Sequence, residues 1–183
     1  MKQKLIDASI ASGRLKLSPY HLFSHYYIVP LFLLPPITFG SLTLWDYLHS
    51  ETIFKKIDYT IIYIVPISLS LLCFWLQYIR LKLTVIKTSF PADEMLKILR
   101  KAIKNLGWHA SINNKKVIIV KMDDDWAMRN SGFQVTILIC NNLVYLNSIN
   151  DPDRRSSPIW LGNKKNIKDL VTEINRLSDQ EEI

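Results

Sequence analysis

Residues 26–45 read YYIVPLFLLPPITFGSLTLW and residues 59–79 read YTIIYIVPISLSLLCFWLQYI, with no Asp, Glu, Lys or Arg in either stretch. At about 1.5 Å of rise per residue, a helix of about 20 residues covers the ~30 Å hydrocarbon core of a bilayer. Aromatic residues stand at both ends of both runs: Tyr20, Tyr26 and Tyr27 against Trp45 and Tyr47, then Tyr59 and Tyr63 against Trp75 and Tyr78. Such rings are amphipathic and collect where headgroups meet hydrocarbon. Two buried core helices of a soluble protein would need far more surrounding chain than 183 residues leave. The pattern therefore predicts a membrane α-helical hairpin over residues 21–80, with spans at about 25–46 and 59–79. No small-residue cleavage site follows the first run, so a cleaved signal peptide is not expected.

Flanking charge orients the hairpin. Lys2, Lys4, Arg14 and Lys16 precede it and Arg80, Lys82 and Lys87 follow, whereas the connection carries Lys55 and Lys56 among Asp46, Glu51 and Asp58. Basic residues are retained on the cytoplasmic side, so both termini are expected there. Within the spans, Pro30, Pro35, Pro36 and Pro66 each remove a backbone donor and are expected to kink or loosen the helix. Ser70, with Ser68 and Cys73, offers small surfaces suited to helix packing. With no ionisable group at mid-membrane, a proton relay or charged ion pathway has no candidate residues.

Outside the hairpin, residues 1–20 form a basic N-terminal segment and residues 81–183 a second domain whose patterns alternate between strand and helix. Leu81–Lys87 alternates apolar and polar residues, as a strand does. Ser89, Pro91, Asp93 and Glu94 start a helix that Gly107 ends, with Met95, Leu99, Ala102, Ile103 and Leu106 on one stripe. Four β-prone stretches follow: Trp108–Ile112, Lys115–Met122, Phe133–Cys140 and Leu143–Ile149. Asn113-Asn114 and Asn141-Asn142 are suited to two-residue turns. A last helix is expected from Lys164 to Leu177, with Ser178–Ile183 frayed. The order β-α-β-β-β-β-α predicts an α+β domain, an antiparallel sheet with helices on one side. Arg14-Leu15-Lys16-Leu17-Ser18 echoes Arg80-Leu81-Lys82-Leu83-Thr84, so the two stretches are candidates to pair as strands. The competing expectation for residues 1–17 is an amphipathic helix lying in the interface through Leu5, Ile6, Ile10 and Leu17.

The whole chain is 49% hydrophobic and 21% charged, which excludes a disordered, collagenous or disulfide-framed protein. Cys73 and Cys140 read as buried thiols in a reducing compartment. Catalytic signatures are absent: no P-loop, dinucleotide fingerprint, nucleophile elbow or kinase motif occurs. His21 and His25 have the i,i+4 spacing of a helical metal clamp, yet no Cys, Asp or Glu nearby in sequence completes it. Asp123-Asp124-Asp125 lacks the spaced oxygens of a calcium loop. No enzyme, metal or cofactor is expected.

The net charge is +7. Much of it follows from topology and from attraction to anionic lipid. Lys97, Arg100, Lys101 and Lys104 form a basic helix face, a candidate surface for lipid or for an acidic or nucleotide ligand, with nucleic acid less favoured. Trp126, Trp160, Arg154 and Arg155 are candidate contacts to a cytosolic protein.

Two uncharged spans followed by a small cytosolic domain resemble, in outline, the two-helix membrane effectors of bacterial antiphage and abortive-infection systems. The resemblance implies a homo-oligomer in the bacterial inner membrane. Its hairpins would form a pore or perturb the bilayer under control of the cytoplasmic domain. The competing expectation is a membrane anchor or assembly factor that recruits a cytosolic protein through the α+β domain.

Overall fold

A computed structural model describes residues 1–49, 60–121, 132–153 and 163–181. In chain order the elements are α1 (Gln3–Ser12), α2 (Pro19–Tyr26), α3 (Ile28–His49), a π-helical turn (Thr60–Ile64) and α4 (Val65–Arg80). They continue with β1 (Thr84–Lys87), α5 (Ala92–Asn105), β2 (His109–Asn113), β3 (Val117–Lys121), β4 (Phe133–Cys140), β5 (Leu143–Asn150) and α6 (Asn163–Glu181). They divide into two compact units, one of Met1–Ser24 with Arg80–Ile183 and one of His25–Ile79.

The first unit is α+β. Its five strands pair antiparallel throughout, in the order β1-β5-β4-β3-β2. The predicted element order is observed. Each hairpin brings sequence neighbours together, while β1 pairs with β5, the strand farthest from it in sequence. The β4–β5 turn is Asn141-Asn142, with Asn141 at φ 53. Asn tolerates that left-handed geometry because its short amide bonds locally. The β2–β3 turn differs from expectation. Asn113 still pairs with Ile118, the Asn114 amide donates to the Val117 carbonyl at 2.9 Å, and Lys115-Lys116 take the tip.

One face of the sheet carries Ile118, Val120, Val135, Ile137, Val144 and Leu146, packed in a single cluster with α5 and α6. The amphipathic stripe read from sequence does the packing: Met95, Leu99, Ala102 and Ile103 are buried, and Ile98, fully buried, joins them. Full burial of a Leu, Ile or Met side chain stabilises by about 1.5–3 kcal/mol, so this stripe outweighs the modest propensity of α5. Gly107 ends the helix at φ 68, with its amide on Lys104 and the Trp108 amide on Ile103, the paired bonds of a Schellman cap. The last helix exceeds its predicted length. Ser178 to Glu181, expected to fray, are helical, and the buried Leu177 secures that turn.

The other face of the sheet corrects the expectation of helices on one side only. Alternation along the strands turns Val117, Ile119, Thr136, Leu138, Asn147 and Ile149 away from α5 and α6, and all six are nevertheless buried. Their cover comes from both ends of the hairpin sequence. Ile6 and Ser9 of α1, Leu15, and Leu81 with Leu83 are buried as well. Arg14 pairs with Lys82, flanked by Leu15 N–H to Leu81 O at 2.7 Å and Leu83 N–H to Gly13 O at 2.9 Å. Asn147 Nδ2 donates to the carbonyls of Arg80 and Lys82 at 2.8 and 2.9 Å, clipping that stretch to β5. At the N-terminus the strand pairing is reduced to the single Arg14–Lys82 bridge, and residues 3–12 form a helix, with Gly13 as the joint.

The second unit is a helical hairpin of reversed polarity. Ser70 Oγ donates to the Val29 carbonyl at 3.1 Å, His25 Nε2 to the Gln77 carbonyl at 3.0 Å, and Tyr26 stacks on Phe74. Across from Gly40, a Cβ would lie 3.8 Å from Tyr63 Oη. The contacts run antiparallel. Inside the hairpin His25, Asp46, Ser70 and Gln77 are buried, while Leu31, Leu34, Ile37, Leu44, Ile67 and Leu71 are exposed. Helix α3 and the segment Ile61–Arg80 are each long and apolar enough to cross a membrane, with only 6% and 11% of the apolar windows buried.

The prolines fall in two classes. Pro35 and Pro36 lie inside the continuous helix α3, whereas Pro30 sits in its first turn, where the missing N–H has no intrahelical partner to lose. Pro66 sits in the first turn of α4 directly after the π-helical turn. The wider turn gives the ring the room that a regular α-helix denies it.

Candidate functional site

A partly open cavity of the first unit lies on the sheet face opposite α5 and α6. Leu5 of α1, the stretch Leu15–Pro19, Ile112 of β2, Ile119 of β3, and Gln134 and Thr136 of β4 bound a cavity of about 580 Å3. Sites for small molecules commonly measure about 300–1,000 Å3 and join apolar walls to a few placed polar groups. Its walls are aliphatic, from Leu5, Leu15, Leu17, Ile112 and Ile119. Gln134 donates to the Thr136 hydroxyl at 3.3 Å, and both are buried. Lys2, Lys4 and Lys16 also line the cavity, all exposed. No acidic side chain lies among the described residues that line it.

Local chemistry shapes this cavity. Gly13, at φ 63, ends α1 with bonds from its own amide to Ile10 and from the Arg14 amide to Ser9. That Schellman turn reverses the chain toward the sheet. Ser9 Oγ then accepts the Lys16 amide at 2.8 Å and holds the returning strand. Ser18 and Pro19 start α2: Ser18 Oγ accepts the His21 amide at 3.3 Å and Pro19 opens the helix, a capped start that was legible in sequence but not read there.

His21, which also lines the cavity, does not join His25 around a metal. Its Nε2 bonds Asp153 at 3.0 Å, while His25 faces Gln77. No group of three or more His, Cys, Asp or Glu suited to a metal occurs among the described residues. Asp153 also receives Lys121 Nζ at 2.6 Å, and Lys121 reaches the buried Asp151 at 3.2 Å. The Asp153 amide donates to Asp151 Oδ1 at 3.0 Å, and Ser24 Oγ donates to the Pro152 carbonyl at 2.7 Å. Asp-Pro-Asp after β5 thus forms a turn that fastens α2 to the end of β3. The hydrogen bond from Lys121 holds the Asp153 carboxyl below its ordinary value. Burial pushes the Lys121 ammonium down, but the bond to Asp153 and the charge on Asp151 outweigh it, and its pKa is raised. With Asp153 bonded by both Lys121 and His21, this network acts as a tie.

The basic face of α5 is exposed at Lys97, Arg100, Lys101 and Lys104. Arg100 Nε is taken by Asn113 Oδ1 at 3.0 Å, and with Lys104 it borders an open recess of about 320 Å3 beside Trp108 and His109. Glu173 of α6 lies close by, receiving Asn105 Nδ2 at 2.7 Å and Arg176 at 2.6 Å. These bonds, with the charge of Lys101, lower the Glu173 carboxyl to about 2. The recess is shallower than the cavity, and part of its charge is spent within the fold.

Among the other expected sites, Pro30, Pro35, Pro36, Pro66 and Ser70 all lie in the hairpin, and Ser70 makes the interhelical bond described above. Trp126, Trp160, Arg154 and Arg155, like Asp123-Asp124-Asp125, lie outside the described residues. The sheet edges offered to a partner carry protection: β1 has only four residues and ends in Lys87, and β2 is broken by an irregularity between Ala110 and Ile112. Such features discourage strand addition. Compared with models of known protein families and with curated proteins, the chain matches none.

Proposed function

We propose that this protein is a non-enzymatic integral membrane protein whose hairpin crosses the bilayer twice and acts as an oligomer under control of its α+β unit. The observation that carries the reading is the reversed polarity of the hairpin, with Asp46, Ser70 and Gln77 inside and leucine and isoleucine outside. In water so large an apolar surface would aggregate, whereas lipid favours it and penalises outward polar groups. The aliphatic hydroxyls of α3 agree: Thr38 donates to the Leu34 and Pro35 carbonyls, Ser41 to Thr38, and Thr43 to Phe39 and Gly40. A polar side chain so satisfied needs no water.

Two crossings keep both flanks of the hairpin on one side, and the Lys and Arg bias favours the cytosol for that side. Two helices cannot enclose a channel, so action on the bilayer requires several copies. The outline shared with two-helix antiphage effectors supports a membrane-perturbing role. The test joins extraction to mass. The chain should resist alkaline carbonate, and Ile37→Arg, which puts a guanidinium on the exposed face near the middle of α3, should abolish that resistance, at a cost of about 3 kcal/mol of insertion. In detergent the effector reading requires a defined assembly of four or more copies. A monomer or dimer would overturn it in favour of an anchor that recruits a cytosolic protein.

A further inference from the structure

We propose that the cavity beneath α1 binds a long-chain acyl anion, its head group held by Lys2, Lys4 and Lys16 and its chain by Leu5, Leu17 and Ile119. The inference goes beyond the membrane reading and rests on the first unit alone. Charge and shape select the ligand together. Lys2, Lys4 and Lys16 line the cavity and are exposed, with no acidic residue among the described lining, so the cavity is complementary to an anion. Its apolar walls are aliphatic.

Other ligand classes fit less well. A nucleotide would share the anionic group, yet no Phe, Tyr or Trp is among the described lining, and the His21 imidazole there is bonded to Asp153. A peptide would need backbone partners, yet the floor strands β3 and β4 are paired on both sides. A single aliphatic chain needs neither, and burying it gains about 0.8 kcal/mol per methylene.

The test uses the full chain, reconstituted in phosphatidylcholine nanodiscs so that no detergent competes, and a diazirine-bearing palmitate whose adducts are mapped by tandem mass spectrometry. Adducts are expected in residues 1–19, 112–119 and 134–136, and unlabelled palmitate should suppress them. Ile119→Trp fills the cavity and should reduce them several-fold. Leu17→Trp, outside the strand ladder, provides the same obstruction should the first variant fail to fold. Replacing Lys2, Lys4 and Lys16 with Gln should bring palmitate labelling down to that of an uncharged diazirine hexadecanol. Adducts confined to residues 25–79 would mean partition into bilayer alone and overturn the proposal. Equal labelling by acid and alcohol, or displacement by inorganic phosphate alone, would overturn it as well.

Discussion

The most consequential single side chains of the first unit are those whose charge or amide joins distant stretches. Lys121 lies between Asp151 and Asp153, and Asp153 also holds His21. Glu173 ties α6 to Asn105 at the end of α5. Both carboxylates have folded pKa values below their ordinary 3.8 and 4.5. A carboxyl depressed by folding stabilises the native state above its unfolded pKa, and that stability is lost as pH falls toward the folded one. Acidification from pH 4.5 toward about 2 should therefore lower the thermal midpoint of the α+β unit. Glu173→Gln should flatten the part of that slope due to Glu173 in a melt followed by circular dichroism. An unchanged slope would show that the Arg176 and Asn105 bonds contribute nothing in solution. None of these partners was legible in sequence, because each ion pair or amide bond joining two elements links residues that only the fold brings together.

At the scale of elements, the turn chemistry was the most readable part. Gly107 was named as a helix stop because a left-handed residue is needed there, and it stands at φ 68. Gly13 has the same geometry at φ 63, and open space surrounds the place its Cβ would occupy. Gly13→Ala should therefore destabilise through backbone strain alone, by about 1–2 kcal/mol. Denaturant titration of the α+β signal checks this, and a neutral result would mean that the chain reaches the sheet without the Schellman turn. Strand limits were readable to within a few residues where alternation was clean, as in Phe133–Cys140. They failed where Lys115-Lys116, not the Asn pair, took the turn, since the pairing of β2 with β3 decided the register.

For the whole molecule, the first unit is discontinuous in sequence. Residues 1–24 pack with 80–183 although the hairpin separates them. Removing residues 1–18 should uncover Ile119 and Thr136, which share the cavity with Leu5 and Leu15, and destabilise the unit by several kcal/mol, since each large side chain re-exposed costs about 1.5–3 kcal/mol. Residues 80–183 alone should bind a hydrophobic dye and melt earlier than a version joined to residues 1–24 through a flexible linker. Equal melting of the two would show that the N-terminal layer is dispensable.

What the sequence determined by itself was everything that depends on local pattern. Two uncharged runs, a helix stripe and alternating strands each bury or expose a face by their own periodicity, so helices, strands and their order followed from residue spacing. Tertiary structure decided what depends on who meets whom. It placed α1 and the Arg14–Lys82 pair over the second sheet face, and it enclosed a cavity between Leu5 and Ile119. It also buried Asp46, Ser70 and Gln77 of the hairpin. Those outcomes depend on desolvation and pairing between distant residues, such as His21 and Asp153, 132 positions apart. No local window of sequence contains that information.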